Sequence, residues 1–308
     1  MSTTGRSMKS LSRFLARREG VTGYVFASPW IAGFLGFTLV PLVLSFYYSF
    51  CRYDVLRPAM WVGLENYRAL LFESDKFWKA VFNTVYFTAF RVPLVIVGSL
   101  LVAMLLARPR PGVGVARTIY YMPSIISGVA LSLIWLWMFN PRHGLVNQAL
   151  ALFSVPTPLW LESPTWSKPA MILMGIWSIG GGRMIVFIAG LNAIPRQLYE
   201  SALVDGAGWW ARFRHITIPQ LSGVIFLLTV VEVITSFQVF TEAYLMTRGG
   251  PDNSTLFYNL ELYYKAFQDY EMGTASAMAW LLFVGTALVT LLIFRVFGRW
   301  VYYEAEKP

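Results

Sequence analysis

Residues 81–107 read VFNTVYFTAFRVPLVIVGSLLVAMLLA, a run of 27 positions with a single charge, Arg91. The hydrocarbon core of a bilayer is about 30 Å thick and needs roughly 20 apolar residues as helix; a membrane strand needs only about ten, alternating in character. This run is too long for a strand and does not alternate, so it predicts a membrane-spanning helix. Five further runs meet the same test, at about 22–50, 115–139, 168–191, 219–246 and 275–297. The composition agrees. Hydrophobic residues make up 56% of the 308 and charged residues only 13%, with a mean hydropathy of +0.55. A soluble domain carries about 25% charged residues, so half that number is too few to cover a surface facing water. The fold class expected is an all-α membrane protein with six transmembrane helices.

Between the apolar runs, Lys and Arg are unevenly placed. The 1–21 tail, the 108–117 turn, the 192–218 loop and the C-terminal end from Arg295 onward hold 14 of them, and the opposite loops hold nine. By the positive-inside rule the richer side is cytoplasmic, which puts both termini in the cytoplasm. The expected organisation is a cytoplasmic tail at 1–21, a six-helix domain at 22–297 and a cytoplasmic tail at 298–308. The net charge of +9 therefore reads as topology, and no nucleic-acid partner is expected. Reporters fused after Arg110 and Gln220 should behave as cytoplasmic, and those after Glu73 and Asp252 as external. A cytoplasmic signal at Asp252 would break the six-span scheme.

One cytoplasmic loop is more than a connector. Residues 192–218 read NAIPRQLYESALVDGAGWWARFRHITI, followed by Pro219. Gln197 to Val204 forms helix well, and Asp205-Gly206-Ala207-Gly208 is a turn signal with glycine available for positive φ. Trp209 to Ile218 then reads as a second short helix that Pro219 ends or redirects. Its apolar positions Trp209, Phe213 and Ile216 share one helical face. From this pattern alone, an interfacial helix with its aromatic rings among lipid headgroups is an equal reading.

The spacing Glu200-Ser201-Ala202, three residues, Gly206, nine residues, Ile216, one residue, Ile218-Pro219 resembles the EAA loop of binding-protein-dependent ABC importer permeases. Ser201 and Ile218 depart from that pattern, which has Ala and Leu there; both changes are small. The resemblance continues in Trp61-Val62-Gly63-Leu64-Glu65-Asn66-Tyr67, Asn83-Thr84, Ala189 to Pro195, Gln238-Val239-Phe240, Gly249-Gly250-Pro251 and Gly273 to Ala277. These runs are similar to the carbohydrate branch of the family, the UgpA/LacF/MalF-like permeases. The resemblance implies a type I ABC importer permease fold and inward passage of a sugar or polyol by alternating access in the cell (inner) membrane. It also implies four kinds of partner: a second homologous permease, two cytoplasmic ATPase subunits, an extracytoplasmic solute-binding protein and membrane lipid. Glu200, Ser201, Ala202, Asp205, Gly206, Ala207 and Gly208 would then form the ATPase-coupling site. The chain has no GxxxxGK[ST] phosphate-binding loop. ATP and its Mg would accordingly be bound by the partner ATPases, with no cofactor on this chain and no enzyme activity of its own.

Three charges stand out well inside the apolar runs: Arg91, Arg183 and Glu232. Each costs about 2.5–3.5 kcal/mol on insertion scales, so such groups face protein or water rather than lipid. Arg183, Glu232 and the nearby Gln238 are candidates for the substrate pathway, while an Arg183–Glu232 structural pair is an equal reading. Gly180-Gly181-Gly182 either loosens the fourth span or allows tight packing. Cys51 allows no internal disulfide, and His143 and His215 allow no Cys/His metal cluster. No Ser/His/Asp set is evident either, which places an intramembrane enzyme last. A glycerol-3-phosphate importer remains an alternative, as does a secondary transporter driven by an ion gradient. Transport in vesicles with a cation gradient and no ATP would identify the latter.

Overall fold

The computed structural model describes residues 22–298 and Trp300; the 1–21 tail and almost all of the C-terminal tail lie outside the described residues. Four helices are long and apolar enough to cross a membrane unbroken: α1 (Thr22–Ser49), α2 (Asp75–Leu106), the fifth span (Ser222–Met246) and the last (Met272–Phe297). The other two crossings are bent pairs. Val113–Ile125 meets Gly128–Met138 at 98°, and Ser167–Trp177 meets Gly182–Ala193 at 51°. The chain thus makes six crossings when each bent pair counts as one. We label the main helices of these pairs α3 (Val113–Tyr121), α4 (Gly128–Met138), α5 (Ser167–Trp177) and α6 (Gly182–Ala193). Next come α7 (Arg196–Val204), α8 (Ser222–Phe237), α9 (Thr241–Met246), α10 (Tyr258–Phe267) and α11 (Met272–Phe297).

The breaks correct the expectation of continuous helices at 115–139 and 168–191, and each has a local cause. Pro123 lacks the N–H that a fourth helical turn needs, and Met122–Ile125 tightens into a 3-10 turn. Ser127 then restarts the helix as N-cap, its Oγ accepting from Ala130 N at 3.3 Å. In the fourth span the chain turns at 178–181, where Gly180 abuts the third span. A Cβ on Gly180 would collide with Tyr120 O. Close packing, rather than a loosened helix, is therefore what Gly180 provides. We expect Gly180→Val to destabilise the fold by about 1–3 kcal/mol through overpacking, read as a lower melting temperature of the purified protein. An unchanged melting temperature would show that the two spans do not meet there.

A broken helix leaves backbone carbonyls without partners, which apolar surroundings do not tolerate. Ser99 Oγ, on α2, donates to Ile179 O at 2.7 Å, and Arg183 Nη2 donates to Ser178 O at 2.9 Å. The break is held by polar groups from within the protein.

Helix α2 is the centre of the bundle and packs against α5, α6, α8 and α10. Ser74 caps its start, with Oγ accepting from Phe77 N at 3.2 Å. One core lies at its N-terminal half around Phe87, Trp135, Phe139, Trp160 and Phe257; another, the inner core, lies at its C-terminal half around Val92, Leu100, Met184, Phe187 and Leu221. Helix α1 stands apart. None of its most apolar window is buried, and it touches the bundle chiefly through α11, where Phe46 meets Trp280 with ring centroids 4.8 Å apart.

The segments at the end of the bundle opposite the 192–218 loop are structured rather than plain loops. Cys51–Arg52 (β1) pairs antiparallel with Met60–Trp61 (β2). Asn66 Nδ2 donates to Ser49 O and Cys51 O, each at 2.9 Å, and Tyr67 Oη donates to Ser49 Oγ at 2.8 Å. Cys51 itself is fully buried. Asn83 Nδ2 donates to Asn253 O at 2.8 Å and Leu256 O at 3.0 Å, and Tyr258 N donates to Thr84 Oγ1 at 2.9 Å. Lys168 Nζ completes the junction by donating to Asn83 Oδ1 and Ser254 O, both at 3.1 Å. The short motifs at 61–67 and 83–84 thus tie the ends of the spans on this side together.

Candidate functional site

The 192–218 loop is a helix–turn–helix projecting beyond the spans. Pro195 precedes α7, and the helix closes at Val204 with a left-handed residue: Gly206 has φ +75°. Ala207 N donates to Ala202 O at 2.8 Å and Gly206 N to Leu203 O at 3.1 Å. This is the pairing that satisfies the last carbonyls of a helix when a glycine follows it. An added Cβ at Gly206 meets nothing within 4 Å, so conformation alone demands glycine there within this chain. Gly208 starts the second arm, its carbonyl accepting from Arg212 N at 3.1 Å. Tyr199 Oη and Thr217 Oγ1, 2.9 Å apart, tie the two arms together.

The second arm departs from the expected short helix. After Trp209–Arg212, residues Phe213–Thr217 form a π-turn, and helix continues through Ile218–Gln220. Pro219 neither ends nor redirects it, because the widened turn before it absorbs the missing N–H. The widening also splits the expected apolar face. Trp209 and Phe213 stack at 5.6 Å with an interplanar angle of 3°, whereas Ile216 packs into the inner core.

Glu200, Ser201, Asp205, Gly206 and Gly208 are exposed, and Ala202 and Ala207 are half-buried. All seven expected coupling positions therefore lie on or beside one accessible turn. That turn also shows apolar side chains whose exposure the sequence pattern did not reveal: Val204 at 89% and Leu203 at 54%. An exposed apolar tip beside two carboxylates suits a partner surface better than bulk water.

The second constellation lies at mid-membrane. Arg91 is the seventeenth of the 32 residues of α2, and Glu232 is the eleventh of the 25 in the fifth span. Arg183 is the second residue of α6, just past the break of the fourth span. The structure brings all three together. Arg91 Nη1 donates to Glu232 Oε2 at 3.1 Å and to Ser236 Oγ at 2.7 Å, and Arg183 Nη1 donates to Glu232 Oε1. One carboxylate thus joins three spans. The Arg183–Glu232 pair expected as one alternative is present, and Arg91, which the sequence left unpaired, is its third member. Residues 91 and 232 are far apart in the chain, so no spacing rule could have joined them. Gln238 is not part of this cluster. It lies exposed where α8 ends, and its backbone carbonyl accepts from Asn259 Nδ2 at 3.0 Å.

Comparison with known proteins follows this geometry. Residues 69–302 match the family described as binding-protein-dependent transport system inner membrane component. The chain is 37% identical, over all of both chains, to a probable ABC transporter permease protein YesP of Bacillus subtilis (strain 168). It is 32% identical to the trehalose/maltose transport system permease protein MalF of Thermococcus litoralis, covering 94% of this chain and 98% of that one. Among solved structures it resembles a bacterial ABC transporter involved in the import of the acidic polysaccharide alginate. There the TM-score is 0.79 at 24% identity, over 96% of this chain and 99% of that one.

Proposed function

Because the chain belongs to the family of binding-protein-dependent transport system inner membrane components, we propose that it is the permease subunit of an ATP-powered importer for a sugar or related polyol. The observation that carries this reading is the exposed turn at 200–208, closed by Gly206 at φ +75° and tipped by Val204. It offers a partner small side chains, two carboxylates and an apolar knob on one surface. Glu200, Ser201, Ala202, Asp205, Gly206, Ala207 and Gly208 dock there with one of two ATPase subunits, which bind and hydrolyse ATP with its Mg. A second homologous permease completes the pathway, and a solute-binding protein delivers substrate to the outward segments. Both termini of this chain are cytoplasmic. The trehalose/maltose relative supports a saccharide as cargo.

Mechanically, the two arms of the loop are braced by the Tyr199–Thr217 contact. The second arm runs without interruption by Pro219 toward α8. A push on the turn therefore reaches the fifth span as a rigid displacement, and that span carries Glu232. The test is to tag this chain, purify it from membranes and ask what accompanies it. Two ATPase subunits and a second permease should co-purify, and ATP should drive uptake into proteoliposomes supplied with the solute-binding protein. Uptake driven by a cation gradient with no ATPase present would support the secondary-transporter reading instead.

A further inference from the structure

The segment between the third and fourth spans carries no charge from Gly144 to Leu161, although it lies outside the helices of both spans. It is folded. Leu145–Leu152 is a short helix, and the chain turns back after it, with Ser154 at φ +55° and Val155 N donating to Leu150 O at 3.1 Å. One side of the segment is sealed against the protein. Val146 and Leu150 pack on the core that holds Trp135 and Phe139, and Trp160 Nε1 donates to Asn147 Oδ1 at 2.7 Å. The other side is open: Leu152 is 84% and Phe153 79% exposed, and Leu145, Val155 and Leu159 are half-exposed. A contiguous apolar tip without a single charge marks a surface that meets something other than water.

The point of attachment sets its depth. Gly144 rests on the end of α4, where an added Cβ would collide with Met138 O and Asn140 O, and Asn147 Nδ2 donates to Pro141 O at 3.1 Å. Exposed tryptophans mark the same level: Trp137 in the last turn of α4 and Trp166 just before α5. Such rings gather at the boundary between hydrocarbon and headgroups. Helix α4 also exposes Leu133 and Ile134, so apolar surface already within the membrane leads up to the place where the segment is attached.

From this we infer that residues 144–161 are a membrane-surface anchor, with Leu152 and Phe153 inserted among the acyl chains of the leaflet opposite the 192–218 loop. Gln148, Ser154 and Thr157, all exposed, then lie at the level of the headgroups. Interfacial segments bind through buried apolar area and through charge; this one has no charge, so it takes hold of acyl chains whatever the headgroup. It joins the two bent spans, and it therefore pins their shared end to the membrane plane. The inference rests on the membrane assignment and does not need the importer reading.

The test places the photoreactive phenylalanine analogue p-benzoylphenylalanine at position 153 of the full-length chain, in native membranes with whatever subunits it assembles. Phe153 is exposed, so the larger ring disturbs no packing. The same probe at Leu152 is an independent second site, and at Arg57, a well-exposed residue between β1 and β2 at the same end of the bundle, it is the control. After irradiation the chain is purified under denaturing conditions and its adducts are weighed by mass spectrometry. Phospholipid adducts at 152 and 153 should exceed those at 57 at least fivefold. In nanodiscs of phosphatidylcholine and of phosphatidylglycerol, their yields should agree within twofold. Adducts chiefly to another polypeptide would make the tip a protein interface, and lipid adducts no higher than at Arg57 would leave it in water; either result overturns the anchor. A yield that followed headgroup charge would overturn insertion by apolar area alone.

Discussion

Glu232→Leu should prevent the complex from accumulating. Removing the carboxylate leaves Arg91 and Arg183 facing each other at mid-membrane with no counter-charge. Breaking one buried ion pair by removing a partner costs about 3–5 kcal/mol, and here one side chain serves two pairs across three spans. We expect the yield of monodisperse protein after size-exclusion chromatography to fall at least tenfold. Replacing the whole cluster should largely restore it. A triple variant, Arg91→Met, Glu232→Leu and Arg183→Met, removes all three charges together, and apolar substitution of an entire buried ionic cluster is often neutral or stabilising. Transport by that triple variant then separates the two roles first considered for these residues. Assembly with normal uptake means the cluster is scaffolding; assembly with uptake lost means it lies on the pathway. Wild-type yield from Glu232→Leu alone would refute the geometry described for the cluster.

Gly206→Val should leave the membrane domain intact and disconnect it from its motor. A β-branched residue at φ +75° is strongly disfavoured; the left-handed region costs an ordinary residue about 1–2 kcal/mol. The strain falls on the turn that follows α7, and no neighbouring atom within this chain lies near enough to the new Cβ to carry it into the spans. Membrane insertion and melting temperature should therefore change little. Co-purified ATPase and ATP-driven uptake should each drop at least tenfold. Gly206→Asn serves as the control, because asparagine enters the left-handed region more readily. Recovery with Asn traces the defect to backbone conformation, and failure of both variants traces it to a partner surface pressed against the turn. Normal uptake by Gly206→Val with a full complement of ATPase would reduce the loop to an interfacial connector.

Much of this was legible in the sequence because it depends on local or averaged properties. Apolar run length sets the number of crossings whatever the packing. The 192–218 loop could be read because helix formers, a turn glycine and an aromatic stretch follow one another within one short segment. The two broken spans were harder. Pro123 and Ser127 mark the third and Gly180 to Gly182 the fourth, yet hydropathy averages over them, and whether such residues bend a helix depends on what takes up the freed carbonyls. That role falls to Ser99 for Ile179 and to Arg183 for Ser178, and neither donor is marked by spacing. The exposed tip at Leu203 and Val204 was equally silent, since apolar residues at the end of a short helix read as core until the structure shows nothing above them.

The sequence by itself determined that this chain lives in a membrane, how many apolar runs could cross it, which loop is built as more than a connector and that Arg91, Arg183 and Glu232 lie well inside its apolar runs. Those properties follow from the transfer of short segments between water and hydrocarbon, and they do not depend on which helix touches which. Only the tertiary structure decided that Arg91, Arg183 and Glu232 are one cluster, that Gln238 stands outside it and that Asn83, Lys168 and Ser254 close the outer junction. Ion pairs and hydrogen bonds act over a few ångströms, so their partners are chosen by helix packing across tens of residues to more than a hundred rather than by any spacing along the chain.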